Sequence, residues 1–320
     1  MQNSIFVVND EPYCIWEVDL LWRNQQFLAG LDADYFNYLL NLYLDSDDEN
    51  RAALALKTVL HHSMETLFSL LGAFIQAPDC AYAWIAKCSN KDLRALIDRV
   101  NSNNQTVFTK LQVEHVDWEN LAGAVLSCYK PNTNENAILT KKFAELWSKL
   151  SRMFNEKIFI DEYNSVKHGF RIKSGGFFVR AGMENEYGVS PPERDMIAIG
   201  ATKHGSTFLT IDKIDSQTNS RAIKSRNKTV GWTVEMVAPL CQLVYMSINN
   251  VISGLKTVNN FAPDTCRYLA PADFKFFDEP WIHVPGISHI SFEPFLDESR
   301  VRHASKSELL DLLIRHGKFC

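Results

Sequence analysis

From residue 31 onward, most apolar positions recur at steps of three and four, the period of a helix with one buried face. Tyr35, Leu39, Leu42 and Tyr43 share one face of the first such stretch. A stronger stretch follows the acidic run Ser46-Asp47-Asp48-Glu49, which can cap a helix start. There Leu56, Leu60, Met64, Leu67, Leu71 and Phe74 form one stripe, and Pro78 ends it. From Thr66 this helix is apolar nearly all round, which predicts a place at the centre of a bundle. Further helices are predicted over 80–87, 90–101, 117–129, 135–155 and 158–172, with the turn Lys130-Pro131-Asn132 between the third and fourth.

The period then shortens. Gly175-Gly176 introduces FFVRAGM, and MIAIGA and TFLTIDKI flank Lys203-His204-Gly205-Ser206; these read as strands, the last two as a hairpin. Helical spacing returns with Val237, Cys241, Val244, Ile248, Val251, Leu255 and Val258, where Pro239 either begins the helix or kinks it. Residues 1–30 lack a period and are expected to be irregular. Residues 261–300, with five prolines and many aromatics, read as an irregular wrapping segment, and Ser305-Lys-Ser-Glu308 matches a capping box for a short final helix. The expected fold class is mainly α (α+β). A helical bundle over 31–260 carries a small antiparallel sheet, about 174–227, inserted before the last bundle helix, and 261–320 follows it. The insertion has too few apolar positions for a core of its own, so it is expected to be an appendage.

Composition narrows the function classes. Hydrophobic residues at 46% allow a real core, while a net charge of -5 gives no global attraction to nucleic acid or anionic lipid. Any such binding needs a local basic patch. The seven cysteines are scattered with no C-x-x-C pair, which fits reduced thiols in a cytoplasmic protein better than a disulfide framework or a zinc site. No secretory leader is evident, and the apolar run Leu67 to Ala77 is far short of the ~20 residues that cross a bilayer, so no membrane attachment is expected. Phosphate-loop, dinucleotide, zinc-protease and E-x-x-H motifs are all missing, and no metal or cofactor is expected. His61-His62 with Glu65 offers a His–carboxylate pair without a third ligand.

One segment carries chemistry. Tyr163, Val166 and Phe170 make an apolar stripe, while Asn164, Lys167, His168 and Arg171, at i, i+3, i+4, i+7, make a polar one. An amide, an ammonium, an imidazole and a guanidinium on one face suit a phosphodiester: the cations offset its charge and the imidazole can move a proton. A plain solvated helix face alternates in the same way, but it usually mixes signs, and this one holds no carboxylate. Lys167, Arg171, Lys173 and Arg180 lie in one acid-free stretch, and Arg221, Lys224, Arg226 and Lys228 in another. If the insertion is compact, these meet beside His168 as a nucleic-acid-binding patch. The other reading is cationic strand edges that discourage edge-to-edge pairing.

Asn164-Ser-Val-Lys-His168-Gly169 resembles the later part of the R-N-x-x-x-H motif of HEPN domains, often followed by Gly. That family consists of small helical bundles, commonly dimeric, many of them metal-independent ribonucleases of defence and toxin–antitoxin systems. In it the Arg and His of two protomers converge on the RNA backbone. Asn164 and His168 match, whereas Tyr163 stands where the family has Arg. The resemblance implies RNA or nucleotide-phosphate binding by a homodimer. It implies cleavage with His168 moving the proton and Arg171 and Lys167 stabilising charge. The rival is a non-catalytic interaction or dimerisation module, with the aromatics of 261–300 (Phe274, Phe276, Phe277, Trp281, Phe292, Phe295) meeting a protein partner.

Overall fold

A computed structural model describes residues 1–102, 106–130, 133–169, 171–214, 221–293, 296–297 and 300–315. Pro131, Asn132, Phe170, Phe295 and Cys320, which carry parts of the expectations above, lie outside the described residues. The chain begins with strands β1 (Gln2–Val8) and β2 (Glu11–Glu17). Helices α1 (Leu20–Ala29), α2 (Tyr35–Leu44), α3 (Glu49–Gln76), α4 (Ala81–Lys87), α5 (Asn90–Asn101), α6 (Trp118–Val125), α7 (Asn134–Asn155) and α8 (Lys157–Lys167) follow. Next come strands β3 (Ile172–Ser174), β4 (Phe177–Ala181), β5 (Ile197–Thr202), β6 (His204–Lys213) and β7 (Ile223–Trp232). Helices α9 (Val234–Val258) and α10 (Glu279–Ile282), strand β8 (His289–Phe292) and helix α11 (Lys306–Arg315) complete the order. The fold is mixed α+β with a helical majority. Its contacts divide it into two units, Met1–Ile160 with Thr233–Val284, and Asp161–Trp232 with Pro285–Cys320, the division falling inside α8.

The first unit is a helical core around α3 and α9. Asp48 caps α3 by accepting the Arg51 amide at 3.1 Å. The predicted stripe from Leu56 to Phe74 is fully buried, and Pro78 sits just beyond the helix end. At Gly72 a Cβ would lie 2.2 Å from Cη2 of Trp84, so the indole of α4 rests on bare helix backbone. In α9, Thr233 caps the start and Pro239 lies inside the helix, in its second turn, where its missing N–H forfeits a single bond. Val237, Cys241, Val244, Ile248, Val251 and Leu255 are buried, while Val258 is half-exposed. Among the described residues α9 alone is long and apolar enough to cross a membrane, yet 72% of its apolar window is buried inside the structure, as a core helix requires. Burial pushes the thiols of Cys88 and Cys241 up to about 12, which keeps them protonated and unreactive at neutral pH.

Two expectations fail in this unit. Residues 1–30 are ordered as the β1–β2 hairpin and α1, because distant polar groups hold them. Gln76 exchanges hydrogen bonds with both backbone groups of Asn9 at the hairpin tip (2.9 and 3.0 Å), and Trp84 Nε1 donates to Val7 O at 2.9 Å. Asn24 of α1 donates to Pro78 O at 3.0 Å and Asn259 Oδ1 at 2.9 Å. In α2 the buried residues are Phe36 and Leu40, and Tyr35 and Leu42 are exposed. The helix is thus turned by about 100°, one residue, from the face read off the sequence, with Phe36 edge-on to His62 at 5.3 Å between ring centroids.

The second unit holds a four-stranded antiparallel sheet in the order β3-β6-β7-β8 and a separate β4–β5 pair. The expected hairpin between the MIAIGA and TFLTIDKI strands does not form: β5 pairs with β4, and β6 with β3 and β7. Close approach at two glycines explains the split. A Cβ on Gly176 would fall 1.7 Å from Thr202 O, and one on Gly231 would meet Thr202 Oγ1 at 2.2 Å and Phe177 at 2.7 Å. The β4–β5 pair therefore folds over the Gly231 end of the larger sheet. The sheet also extends beyond 174–227, through Trp232, and takes its fourth strand from the segment expected to be irregular. Ser305 and Glu308 form the reciprocal capping bonds that begin α11.

Gly72→Ala should lower the urea midpoint of the first unit's unfolding. The helix-propensity gain of about 1 kcal/mol is outweighed by overpacking against Trp84, which costs about 1–3 kcal/mol. A raised midpoint would mean that Trp84 moves aside freely.

Candidate functional site

The candidate segment does not lie on one helix face. Helix α8 ends at Lys167, earlier than the expected 172, with a last bond from His168 N to Asn164 O at 3.0 Å. Gly169 then takes φ 93°, a left-handed backbone that an L side chain rarely adopts. The Arg171 amide returns to Ser165 O at 2.7 Å and the chain enters β3. Asn164 and Lys167 are thus helical, His168 stands in the turn, and Arg171 lies beyond it. The glycine that follows the histidine is what breaks the stripe.

The turn nevertheless gathers charge of one sign. Lys167, His168, Arg171 and Lys173 are exposed, and Asn164 is half-buried. Arg171 Cγ passes 3.8 Å from the Cβ position of Gly169, so the guanidinium stem crosses the turn beside His168. Lys167 Nζ stands 5.3 Å from the ring centroid of Tyr163, a cation–π contact. Tyr163 itself is buried, so the position where HEPN domains carry Arg points inward here. Among the described residues, neither Arg171 nor Lys173 makes an ion pair.

The second basic stretch behaves oppositely. In β7, Lys224, Arg226 and Lys228 alternate onto one face, opposite Asp212, Thr210 and Phe208 of β6. Lys228 is only 5% exposed and donates to Asp161 of α8 at 2.6 Å. Beside it, buried Glu162 accepts from Ser206 Oγ at 2.6 Å. Arg226 pairs with Glu293 at 2.9 Å and Asp212 at 3.6 Å, and Lys224 pairs with Glu293 as well. Arg180 pairs with Glu193 at 2.8 Å. Arg221 is exposed at the start of β7, its amide bonded to Ala304 O at 3.1 Å. The two stretches do not merge. Lys173 pairs with Thr207 on the face opposite that of Lys228, so β6 and the sheet itself lie between them.

Sequence reasoning missed Asp161, Asp212 and Glu293 as the partners of these cations, and Glu162 as the acceptor of the Ser206 hydroxyl. Only Asp161 and Glu162 lie near the motif, and nothing local tells that they face the sheet. The expected partner aromatics are mostly packed as well: Phe277 is buried against Phe143 at 5.0 Å, and Phe274, Phe276 and Trp281 are half-buried, leaving Phe292 exposed. Among the described residues no three His, Cys, Asp or Glu side chains stand close enough to hold a metal ion.

Two outcomes follow from this charge arrangement. Asp161→Ala should lower stability by about 3–5 kcal/mol in urea, because it strands the buried Lys228 ammonium. Asp161→Leu with Lys228→Met should recover most of that loss; an equal loss in the double variant would deny the pair its role. Hydrogen bonding from Lys224, with the charge of Arg226, holds the Glu293 carboxyl below its usual range. Its contribution to holding β8 is complete above the ordinary glutamate value of about 4.3 and is lost as pH falls through the lower folded value. Lys224→Met should raise the Glu293 midpoint in a carboxyl NMR titration, and an unmoved midpoint would refute the assignment.

Comparison with protein-family models, curated proteins and solved structures finds no match for this chain. The likeness to HEPN domains rests on Asn164, His168 and Gly169 alone.

Proposed function

We propose that this protein binds the phosphate backbone of RNA, in the cytoplasm, at the turn joining α8 to β3. Lys167, Arg171 and Lys173 supply the positive charge, and Asn164 and His168 supply hydrogen bonds to phosphate oxygens. The observation that supports this reading is the contrast between two basic stretches. The cations of β7 are matched by carboxylates within the unit, while Arg171 and Lys173 of the turn are exposed and make no ion pair among the described residues. In a chain of net charge -5, an exposed acid-free cluster concentrates the attraction for a polyanion in one place.

A second reading is favoured by the exposure of His168 beside Arg171. In a homodimer with two such turns facing one RNA strand, the His168 of one copy takes the 2′-hydroxyl proton as that oxygen attacks phosphorus. The other His168 gives a proton to the departing 5′ oxygen, leaving a cyclic phosphate and a 5′-hydroxyl. Arg171 and Lys167 offset the charge that builds on the phosphoryl oxygens. The buried Tyr163 has no part in this scheme, and Tyr163→Arg is expected to cost stability and not to restore a family function.

Binding of a single-stranded RNA oligomer, followed by fluorescence anisotropy, should weaken with salt at a logarithmic slope of about two, for three phosphate contacts. Lys167→Ser, Arg171→Ser and Lys173→Ser should each flatten that slope by about 0.7, while Arg180→Ser leaves it alone. A salt-independent Kd, or no binding at 50 mM salt, sinks the phosphate reading. His168→Ala should leave Tm nearly unchanged, within about 0.5 kcal/mol of stability, and abolish any cleavage. A strictly monomeric protein at micromolar concentration removes the ribonuclease version and leaves binding intact.

A further inference from the structure

The four-stranded sheet has two faces of different chemistry. The face bearing Ser206, Phe208, Lys228 and Arg226 meets Asp161, Glu162, Asp212 and Glu293, with the second half of α8 bonded to it. Strand alternation puts Lys173, Leu209, Ile211, Lys213, Ile223, Ser225, Asn227 and Phe292 on the other face. Leu209, Ile211, Ile223 and Phe292 are 59, 55, 59 and 61% exposed there. Such a cluster of large apolar side chains on a sheet face marks a contact surface. Among the described strand residues only lysines bring charge to it: Lys173 on the β3 edge and Lys213 at the far end of β6, both exposed.

We propose that this open face is a platform for the bases of single-stranded RNA whose phosphates are held at the α8–β3 turn; the proposal rests on that phosphate-binding reading. Lys173 belongs to both surfaces, since it follows Arg171 into β3 and points to the open face. In register it shares a row with Thr207, Thr229 and Ile290, and the next row is Leu209, Asn227 and Phe292. Strands are about 4.8 Å apart, so the row from β3 to β8 spans roughly 14 Å, a distance that a few nucleotides cover. Phe292 offers a ring for stacking, Leu209 and Ile211 offer apolar contact, and the exposed Asn227 and Ser225 offer an amide and a hydroxyl to base edges or ribose. Charge selects this occupant over a second copy. Among the described strand residues the charges on this face are lysines, which repel their own like in a second copy, whereas a phosphate strand crossing the face neutralises them. The end next to the Lys173 row is closed by Phe177 and Thr202 over Gly231, so the platform runs from there toward Lys213 and Ile223.

The test compares single-stranded and duplex RNA of one length, at one salt concentration, on the full chain. The wild type should prefer the single strand. Phe292→Ala should weaken single-strand binding by about 5- to 100-fold, the range for loss of one stacked base, leave duplex binding unchanged, and leave Tm unchanged. Phe292→Tyr, which keeps the ring, should retain the preference. Equal binding of both forms, insensitive to Phe292→Ala, overturns the platform while the phosphate reading stands. A protein that binds neither form overturns both. A dimer that Leu209→Asp dissociates, with RNA binding unaffected, also overturns the platform and assigns the face to a second copy.

Discussion

A lysine that cannot reach water must have its counter-charge brought to it, and the Lys228–Asp161 pair is the constraint on which the second unit depends. Lys228 sits in the middle of β7 and Asp161 on α8, so the pair fixes both which face of the sheet the helix covers and which way β7 points. Because side chains alternate, a slip of one residue in β7 would turn Lys224, Arg226 and Lys228 outward and bring Ile223, Ser225 and Asn227 in. The slipped register would strand Asp161, Asp212 and Glu293 at once. One buried pair therefore sorts the unit's charge. Acids and their cations go to the face that α8 meets, and Lys173 and Lys213 go to the open one.

That sorting alters how the basic residues are weighed. Counted along the chain, 221–228 holds four Lys/Arg against three in 167–173, and both are free of acids. Counted in space, its strand residues are neutralised from β6, β8 and α8, and an approaching phosphate meets a nearly balanced surface there. Arg171 keeps its charge because it lies nine and ten residues beyond Glu162 and Asp161, which are engaged with Ser206 and Lys228. Sequence proximity to those two carboxylates would otherwise suggest quenching. Helical geometry carries them to the opposite side.

What was legible in the sequence shares one physical property: it was decided by near neighbours. The stripe and cap of α3, the stripe of α9 and the Ser305–Glu308 box all stood where expected, because period and capping act within a few residues. The β1–β2 hairpin was illegible because it buries little beyond Phe6 and Val8 and is held by Gln76 and Trp84, far along the chain. The pairing of β5 with β4 was hidden because it depends on glycines that admit a crossing backbone, which local turn residues do not reveal. At the site, the exposure of His168 and Arg171 was foreseen, but not the end of the helix between them. Gly169 was read as part of a motif and not as a stop.

Neither unit is a continuous piece of chain. The polypeptide passes between them after Ile160, after Trp232 and after Val284. During synthesis, the apolar surface of α3 is therefore complete before α9 exists to cover it, and β7 presents an unpaired edge until β8 emerges. At roughly 5–20 residues per second, that edge waits several seconds. Lys224 and Arg226 sit on it without Glu293 for the whole interval, and two cations in the middle of an open strand discourage pairing with the wrong chain. The same residues that join the finished sheet by ion pairs would thus guard it while it is unfinished.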